Sequence, residues 1–295
     1  MTPDAITLEV DGLKFHVSAW GASDKPVVFL LHGMRDNSRS WDWVANALAH
    51  RYRVYAPDLR GHGDSDWADG GAYALPNFVL DVDDVACALG TSEFSVVGHS
   101  FGGAIGLRYV ATFGSKVRGF VGIECVELPI NREQQASPKT YPEQLREWAI
   151  RERHRRSRPL RYYPSLDVAQ RRMHDEHPRL DEETVAHLVR HAMTLNTAHG
   201  WRWKYDNAAR HRAPDDADGV TLDQMLDAIT CPVMLAYGTA SWIPLPDDAR
   251  LARIKHLSLK MFPGESHWLH HTAREAFISE IQQFLSTLPE RPNHA

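Results

Sequence analysis

The sequence predicts a three-layer α/β fold, and three observations support that class. Short, continuous apolar runs bounded by turn residues recur along the chain, as is typical of strands that are covered on both faces of a parallel sheet. Helical patterns separate these runs, which indicates right-handed crossover connections. The 295 residues are 43% hydrophobic and 24% charged, a composition that supports a large packed core and excludes disordered and fibrous classes.

The predicted elements begin with an antiparallel hairpin. Ile6–Val10 and Leu13–Trp20 alternate, or nearly alternate, apolar residues on either side of Asp11-Gly12, a tight-turn sequence. The apolar runs that follow are Val27–Leu31, Arg53–Ala56, Phe94–Val97, Gly119–Ile123, Val233–Tyr237 and Leu257–Phe262. The helical patterns are Trp41–Ala49, Pro76–Leu89, Phe101–Thr112 and Arg274–Leu288. This alternation predicts helices on both faces of the sheet.

The alternation stops once, between about Leu128 and Asp227, where no strong strand run occurs. The amphipathic segments in this stretch, each predicted to be helical, are Tyr141–Arg156, Ser165–Glu176 and Asp181–Thr194. The sequence therefore predicts a core domain of residues 1–127 and 228–295, interrupted by a helical insertion of residues 128–227.

Charge and cysteine usage limit the partners and the compartment. A formal net charge of −5 gives no long-range attraction to nucleic acid or to anionic lipid. No apolar run approaches the roughly 18 residues of a membrane span, and the first 23 residues carry no secretory pattern. The three cysteines match no disulfide framework or metal-binding spacing. We expect a cytoplasmic protein with a small-molecule substrate, and the sequence leaves a homodimer open.

A candidate nucleophile follows one of the buried runs. Gly98-His99-Ser100-Phe101-Gly102 is a G-x-S-x-G motif placed directly after an apolar strand and before a helical pattern. Such a strand-to-helix turn holds the central serine strained and exposed. His32-Gly33-Met34 follows the first buried run, and its turn can aim the Met34 N–H at the same point as the Phe101 N–H. These two donors are the predicted oxyanion hole.

Four segments together carry a family resemblance. They are His32-Gly33, Asp58–Ser65, Gly98–Gly102 and Gly264–His267. In this order and at these separations they resemble the α/β-hydrolase fold superfamily. The resemblance implies a mostly parallel, eight-stranded sheet, a Ser-His-acid triad, and a cap domain where residues 128–227 are inserted. It does not imply a substrate, because this fold supports esterases, lactonases, C–C bond hydrolases and other activities.

The predicted base is His267, which follows the strand Leu257–Phe262 and lies in a loop that can reach the serine. His32 is interpreted as a histidine that braces its loop. His270 and His271 are interpreted as surface residues at the start of a helix rather than as zinc ligands.

The acid departs from the common pattern. In most family members an Asp lies three residues after the glycine that ends the seventh strand, and Ser241 occupies that position here. Glu124 ends the sixth strand, 24 residues after Ser100, as in some haloalkane dehalogenases and mycotoxin-lactone hydrolases. We therefore predict Glu124 as the acid; its alternative role is an ion pair with an arginine of the insertion. Weaker candidates for the acid are Glu127, Asp247 and Asp248.

Aromatic residues suggest the substrate pocket. The run Gly200–Asp206 alternates aromatic residues, and it either lines a pocket or forms the core of the insertion with Arg202 and Asp206 as an ion pair. The candidate pocket residues are Trp41, Trp201, Trp203, Trp242 and Trp268. Such a lining favours an apolar or aromatic substrate.

These observations predict a serine hydrolase that needs no cofactor or metal and cleaves a carboxylic ester or lactone through an acyl-enzyme on Ser100. Haloalkane dehalogenases and epoxide hydrolases of this fold use an aspartate as the nucleophile, so a serine argues against both. Two alternatives stay open. One is C–C bond hydrolysis of a diketone-like substrate, and the other is a ligand-binding protein with an incomplete triad.

Overall fold

The computed structural model describes residues 1–68, 72–127, 138–210 and 219–289, and its centre is an eight-stranded sheet. The strands in chain order are β1 Asp4–Val10, β2 Leu13–Trp20, β3 Val27–Leu31, β4 Arg53–Pro57, β5 Phe94–His99, β6 Val117–Ile123, β7 Met193–Asn196, β8 Gly200–Trp203, β9 Val233–Gly238 and β10 Leu257–Phe262. The main sheet has the order β1-β2-β4-β3-β5-β6-β9-β10. In this sheet the strands β4, β3, β5, β6, β9 and β10 run parallel to one another. Strand β2 is antiparallel to both of its neighbours.

Helices cover both faces of this sheet. The α-helices of the described residues are α1 Asp42–Leu48, α2 Leu75–Ala88, α3 Ser100–Thr112, α4 Tyr141–Arg156, α5 Leu166–Glu176, α6 Glu182–Ala192, α7 Gly219–Ala228, α8 Asp248–Leu251, α9 Leu269–Thr272 and α10 Arg274–Ser286. On one face, Val96 of β5 packs in an apolar cluster with residues of α2 and α3. On the other face, Val97 packs in a second cluster with residues of α1 and α10. The three-layer α/β fold is therefore confirmed. None of the described helices combines the length and apolar character that a membrane crossing requires.

The amino-terminal hairpin has the turn that its sequence predicts. Asp11 and Gly12 both have positive φ angles, +48° and +74°, as a two-residue turn with the twist of paired strands requires. Val10 then pairs directly with Leu13.

The insertion contains a hairpin that the sequence analysis missed. β7 and β8 pair antiparallel, with Met193 opposite Trp203, and the helix predicted to reach Thr194 ends at Ala192. Strands of four residues are too short to show a clear alternating pattern, and the start of β7 overlaps the end of the predicted helical segment. A small apolar cluster that includes Leu188 and Met193 joins the hairpin to α5 and α6. By contrast, Leu222 and Leu226 of α7 pack in the main core.

The parallel strands bring several chain segments to one edge of the sheet. Ser100 follows β5, Glu124 follows β6, and the loop with His267 follows β10. The carboxyl ends of parallel strands are the usual location of sites in open α/β folds.

Candidate active site

The turn that carries Ser100 is tight and strained. Ser100 has a φ of +52°, a left-handed conformation that is uncommon for residues other than glycine. A Cβ atom at Gly98 would lie 2.6 Å from the Gly102 carbonyl oxygen, and one at Gly102 would lie 2.3 Å from the Leu31 carbonyl oxygen. Only glycine therefore allows α3 to start this close to β3 and β5, with Ser100 at its first position.

Glu124 is the most completely bonded carboxylate at this edge of the sheet. It is fully buried and has a φ of +48°. Its Oε2 lies 2.7 Å from His267 Nδ1, and its Oε1 accepts a hydrogen bond of 2.8 Å from the Gly238 N–H. A buried carboxylate needs such partners, because removal from water is otherwise costly. Glu124 therefore pairs with a histidine rather than with an arginine of the insertion.

Ser241, at the position where most family members have an acid, supplies a third donor to Glu124. Its Oγ lies 2.5 Å from Glu124 Oε2 and accepts a hydrogen bond of 3.1 Å from the Ile243 N–H. Since that bond uses the hydroxyl as an acceptor, its single proton is available to the carboxylate. The sequence showed the serine and the missing acid, but it did not show that the two residues bond to each other.

The structure does not bring the weaker acid candidates to His267. Glu127 forms an ion pair with Arg250, and Asp247 caps the start of α8 by accepting a hydrogen bond from the Arg250 N–H. Asp248 lies in the first turn of the same helix.

His267 lies between Glu124 and a cavity that it shares with Ser100. Because its Nδ1 faces the carboxylate, its Nε2 is the nitrogen left to accept a proton. His99 holds the same loop: its Nε2 donates to the His267 carbonyl oxygen over 2.9 Å. Burial lowers the pKa of His99 well below its usual range, so the ring is neutral. This positioning contact was missed by sequence analysis, since 168 positions separate the two residues.

The predicted oxyanion donors are the N–H groups of Met34 and Phe101. Met34 lines the cavity, and the N–H of Phe101 belongs to the first turn of α3, the positive end of the helix dipole. His32 braces the first loop, as interpreted: its Nε2 accepts from the Leu59 N–H over 3.0 Å, and its Nδ1 donates to the Gly33 carbonyl oxygen over 2.8 Å. Burial lowers the pKa of His32 to about 4.

The cavity has a volume of about 380 Å³, within the usual range of small-molecule sites. Of the predicted tryptophans, Trp203, Trp242 and Trp268 line it. Trp41 does not, because it is fully buried in the core cluster beside α1. Trp201 does not line it either; it packs against the apolar cluster of α5 and α6, and its backbone pairs with Tyr163.

Two further interpretations from the sequence are wrong. His270 and His271 are buried, only 1% and 4% exposed, because their rings pack against Trp41, Trp43 and Trp268. Arg202 and Asp206 do not pair. Asp206 accepts a hydrogen bond of 2.8 Å from the Tyr73 hydroxyl, and the Arg202 guanidinium lies 5.1 Å from the centre of the Trp67 ring.

One cluster has the donor types of a divalent-cation site. Asp42, His187 and His191 offer ligand atoms within 4.8 Å of one another. However, the Arg39 guanidinium donates to both oxygens of Asp42, over 2.8 and 2.6 Å. A cation would have to displace this ion pair.

Comparison with known proteins assigns the family. A sequence model of the alpha/beta hydrolase fold matches residues 26–273. The chain therefore belongs to the α/β-hydrolase fold family, as its motifs predict.

Its relatives and structural neighbours include hydrolases. A serine hydrolase-like protein of Dictyostelium discoideum is 25% identical over 297 residues, which cover 93% of this chain and 79% of that protein. A human serine hydrolase-like protein is 33% identical over 124 residues, 42% of this chain, and the match spans only 61% of the human protein. The thioesterase domain from the curacin biosynthetic pathway has 26% identity and a TM-score of 0.81, with 96% of this chain and 100% of that chain covered.

Proposed function

We propose that this chain is a serine hydrolase that cleaves a carboxylic ester or lactone through an acyl-enzyme on Ser100. One observation carries the proposal. The Glu124 carboxylate lies 2.7 Å from His267 Nδ1, while His267 and the strained Ser100 line the same cavity. The base therefore lies between the orienting acid and the cavity of the nucleophile, which is the spatial arrangement that acyl transfer needs.

In the first half-reaction, Ser100 Oγ attacks the carbonyl carbon and His267 Nε2 takes the hydroxyl proton. The bond between the carbonyl carbon and the leaving oxygen then breaks, and His267 returns the proton to that oxygen. In the second half-reaction, His267 removes a proton from water as the water oxygen attacks the acyl carbon. The bond between that carbon and Ser100 Oγ then breaks, and His267 returns the proton to Oγ. Glu124 stabilises the imidazolium in both steps.

The N–H groups of Met34 and Phe101 are proposed to bind the oxyanion of each tetrahedral intermediate. One such donor typically contributes about 3–4 kcal/mol to lowering the barrier. The insertion, residues 128–227, is proposed to act as the cap, since its Trp203 and Tyr205 line the cavity that contains Ser100. The curacin-pathway neighbour is a thioesterase domain, and cleavage of a thioester is acyl transfer of the same type.

The test is labelling by a fluorophosphonate probe combined with turnover of a panel of esters and lactones. We expect wild-type protein to be labelled and active, Ser100→Ala to lose both properties, and the surface control Ser286→Ala to keep both. A wild-type protein that neither reacts with the probe nor turns over any member of the panel would overturn the proposal and favour a ligand-binding protein. Turnover of diketones alone would favour C–C bond hydrolysis.

A further inference from the structure

Two arginines that are far apart in the sequence line the cavity that contains Ser100. Arg35 follows Met34 in the loop after β3, and Arg210 ends a 3-10 turn of the insertion. Both line the cavity and both side chains are exposed. Neither was a candidate from the sequence, because nothing local distinguishes them from the other arginines.

Arg35 is held in place by the insertion. Its backbone has a φ of +65°, and its guanidinium lies 5.4 Å from the centre of the Tyr205 ring, a cation–π contact. Tyr205 in turn stacks with Trp203, with ring centres 6.1 Å apart and planes 14° apart. The charge is therefore placed beside an aromatic surface inside the cavity.

Among the described residues, the lining of the cavity carries more positive than negative charge. Of its three arginines, Arg172 is balanced by Glu176, with Nε and Oε1 2.8 Å apart. Arg35 and Arg210 form no ion pair with any carboxylate of the described residues. The charge of Arg35 lowers the pKa of Arg210, and partial burial adds to that effect. Two like charges that face one space, with no ion pair to a carboxylate of the described residues, form an arrangement that an anion stabilises.

The other titratable groups of the cavity do not cancel this charge. Burial raises the pKa of Asp36 to about 7, so its carboxyl is partly protonated at neutral pH. Burial lowers the pKa of both His99 and His177, and these rings are neutral. Tyr205 is neutral as well, since burial raises its pKa. His267 pairs with Glu124 behind the cavity wall.

We propose that the substrate is an anionic ester: its carboxylate binds between Arg35 and Arg210, and its apolar body lies against Trp203 and Trp268. This inference rests on the proposed function and names the substrate class for the same site. It adds an anionic group to the apolar or aromatic substrate that the tryptophans favour.

The experiment compares two matched pairs of esters. One pair is mono-4-nitrophenyl adipate and 4-nitrophenyl hexanoate, which places the carboxylate on the acyl side. The other is 4-acetoxybenzoate and 4-methylphenyl acetate, which places it on the leaving group. In at least one pair, we expect wild-type kcat/KM to be roughly tenfold or more higher for the anionic member, as hydrogen bonds to a charged group imply. The preference should shrink as salt is added.

Arg35→Gln and Arg210→Gln should each lower that ratio about tenfold, mainly through KM. The matched control is Arg171→Gln on α5, next to Arg172 in sequence but outside the cavity lining, and it should keep the wild-type ratio. If wild-type protein hydrolyses both members of each pair equally well, or if the two variants leave the ratio unchanged, the inference is wrong while the proposed function stands.

If no ester is turned over, a binding measurement still tests the proposed anion site separately from the proposed hydrolase activity. Calorimetry with adipate and with 1,6-hexanediol tests the anion site without chemistry. Adipate binding that is weakened in Arg35→Gln and Arg210→Gln, with weaker or absent binding of the diol, supports the anion site. Equal or absent binding of the two probes by wild-type protein overturns it.

Discussion

The two walls of the cavity hold their polar groups in different ways. The wall made by the sheet contains His267, which is bonded to Glu124 behind it. Glu124 is fully buried and also accepts hydrogen bonds from the Gly238 N–H and from Ser241. The wall made by the insertion presents half-buried Trp203 and exposed Arg210. Glu124 is held by groups at the ends of β9 and β10, whereas Arg210 forms no ion pair with a carboxylate of the described residues. In the proposed function, the bond-breaking groups Ser100 and His267 follow strands of the sheet. The proposed substrate-binding groups come from both sides, Arg35 from the loop after β3 and Trp203 and Arg210 from the insertion.

The largest expected effect is on the sheet wall. Glu124→Gln should lower kcat by about 10³–10⁴-fold, because a neutral amide cannot stabilise the imidazolium or fix its tautomer. Steady-state kinetics on any ester that wild-type protein turns over would measure the loss. The matched control is Glu127→Gln, also buried just after β6 but paired with Arg250, which should keep most of the activity. A loss below tenfold in Glu124→Gln, or an equal loss in the control, would contradict the assignment.

The stability of the packing around His271, where α9 meets α1 and the insertion, should depend on pH. His271 is buried among Trp43, Arg274, and His187 of the insertion, and burial lowers its pKa to about 3 from the ordinary 6.5. Between these values the unfolded chain binds more protons than the folded one. The stabilising effect of a neutral His271 is therefore complete above pH 6.5 and is lost as the pH falls.

Urea unfolding at pH 7.5 and pH 5 tests this effect. The free energy of unfolding of wild-type protein should fall by about 2 kcal/mol more than that of His271→Phe over this interval, from 1.36 kcal/mol per pH unit. Equal losses in the two proteins would show that His271 does not titrate as its burial implies.

A smaller effect on the sheet wall concerns Ser241. Ser241→Ala removes one of three donors to Glu124 and should lower kcat roughly tenfold, with KM little changed. Ser241→Thr keeps the hydroxyl and should recover most of the loss, which distinguishes positioning from a packing defect. If Ala and Thr behave alike, the bond to Glu124 contributes nothing to the reaction.

The smallest expected effect is on the insertion wall. Trp203→Leu should raise KM roughly threefold, the size of one aromatic contact, and should affect kcat less. Trp201→Leu is the matched control, since it lies two residues earlier in the same strand but does not line the cavity. Kinetics on the preferred ester measures both. An effect on kcat larger than that on KM would show that Trp203 contributes to the chemical step rather than to substrate binding.

Much of the sheet wall was predictable because its signals are local. The G-x-S-x-G turn itself needs glycine at Gly98, where a Cβ atom would meet the Gly102 carbonyl oxygen, and the close approach of α3 to β3 requires glycine at Gly102. Glu124 was predictable because it directly follows a buried strand, a feature of the adjacent sequence. The position of Ser241 was visible too, but its bond to Glu124 joins residues 117 positions apart and has no local signal.

The insertion wall was less predictable because its residues are defined by neighbours rather than by pattern. Trp41 and Trp203 were both candidates for the pocket lining, but Trp41 is buried in the core whereas Trp203 lines the cavity. The β7–β8 hairpin escaped notice because four-residue strands carry too little periodicity.

The sequence by itself determined the fold class, the strained turn at Ser100 and the position of a carboxylate, Glu124, directly after β6, because backbone geometry and apolar periodicity are encoded within short segments. Only the tertiary structure decided that Ser241 bonds to Glu124, that His99 holds the His267 loop, and that Arg35 and Arg210 face one cavity. Each of these contacts joins distant segments, and its energy depends on distance, burial and the surrounding charge, which exist only after the chain has folded.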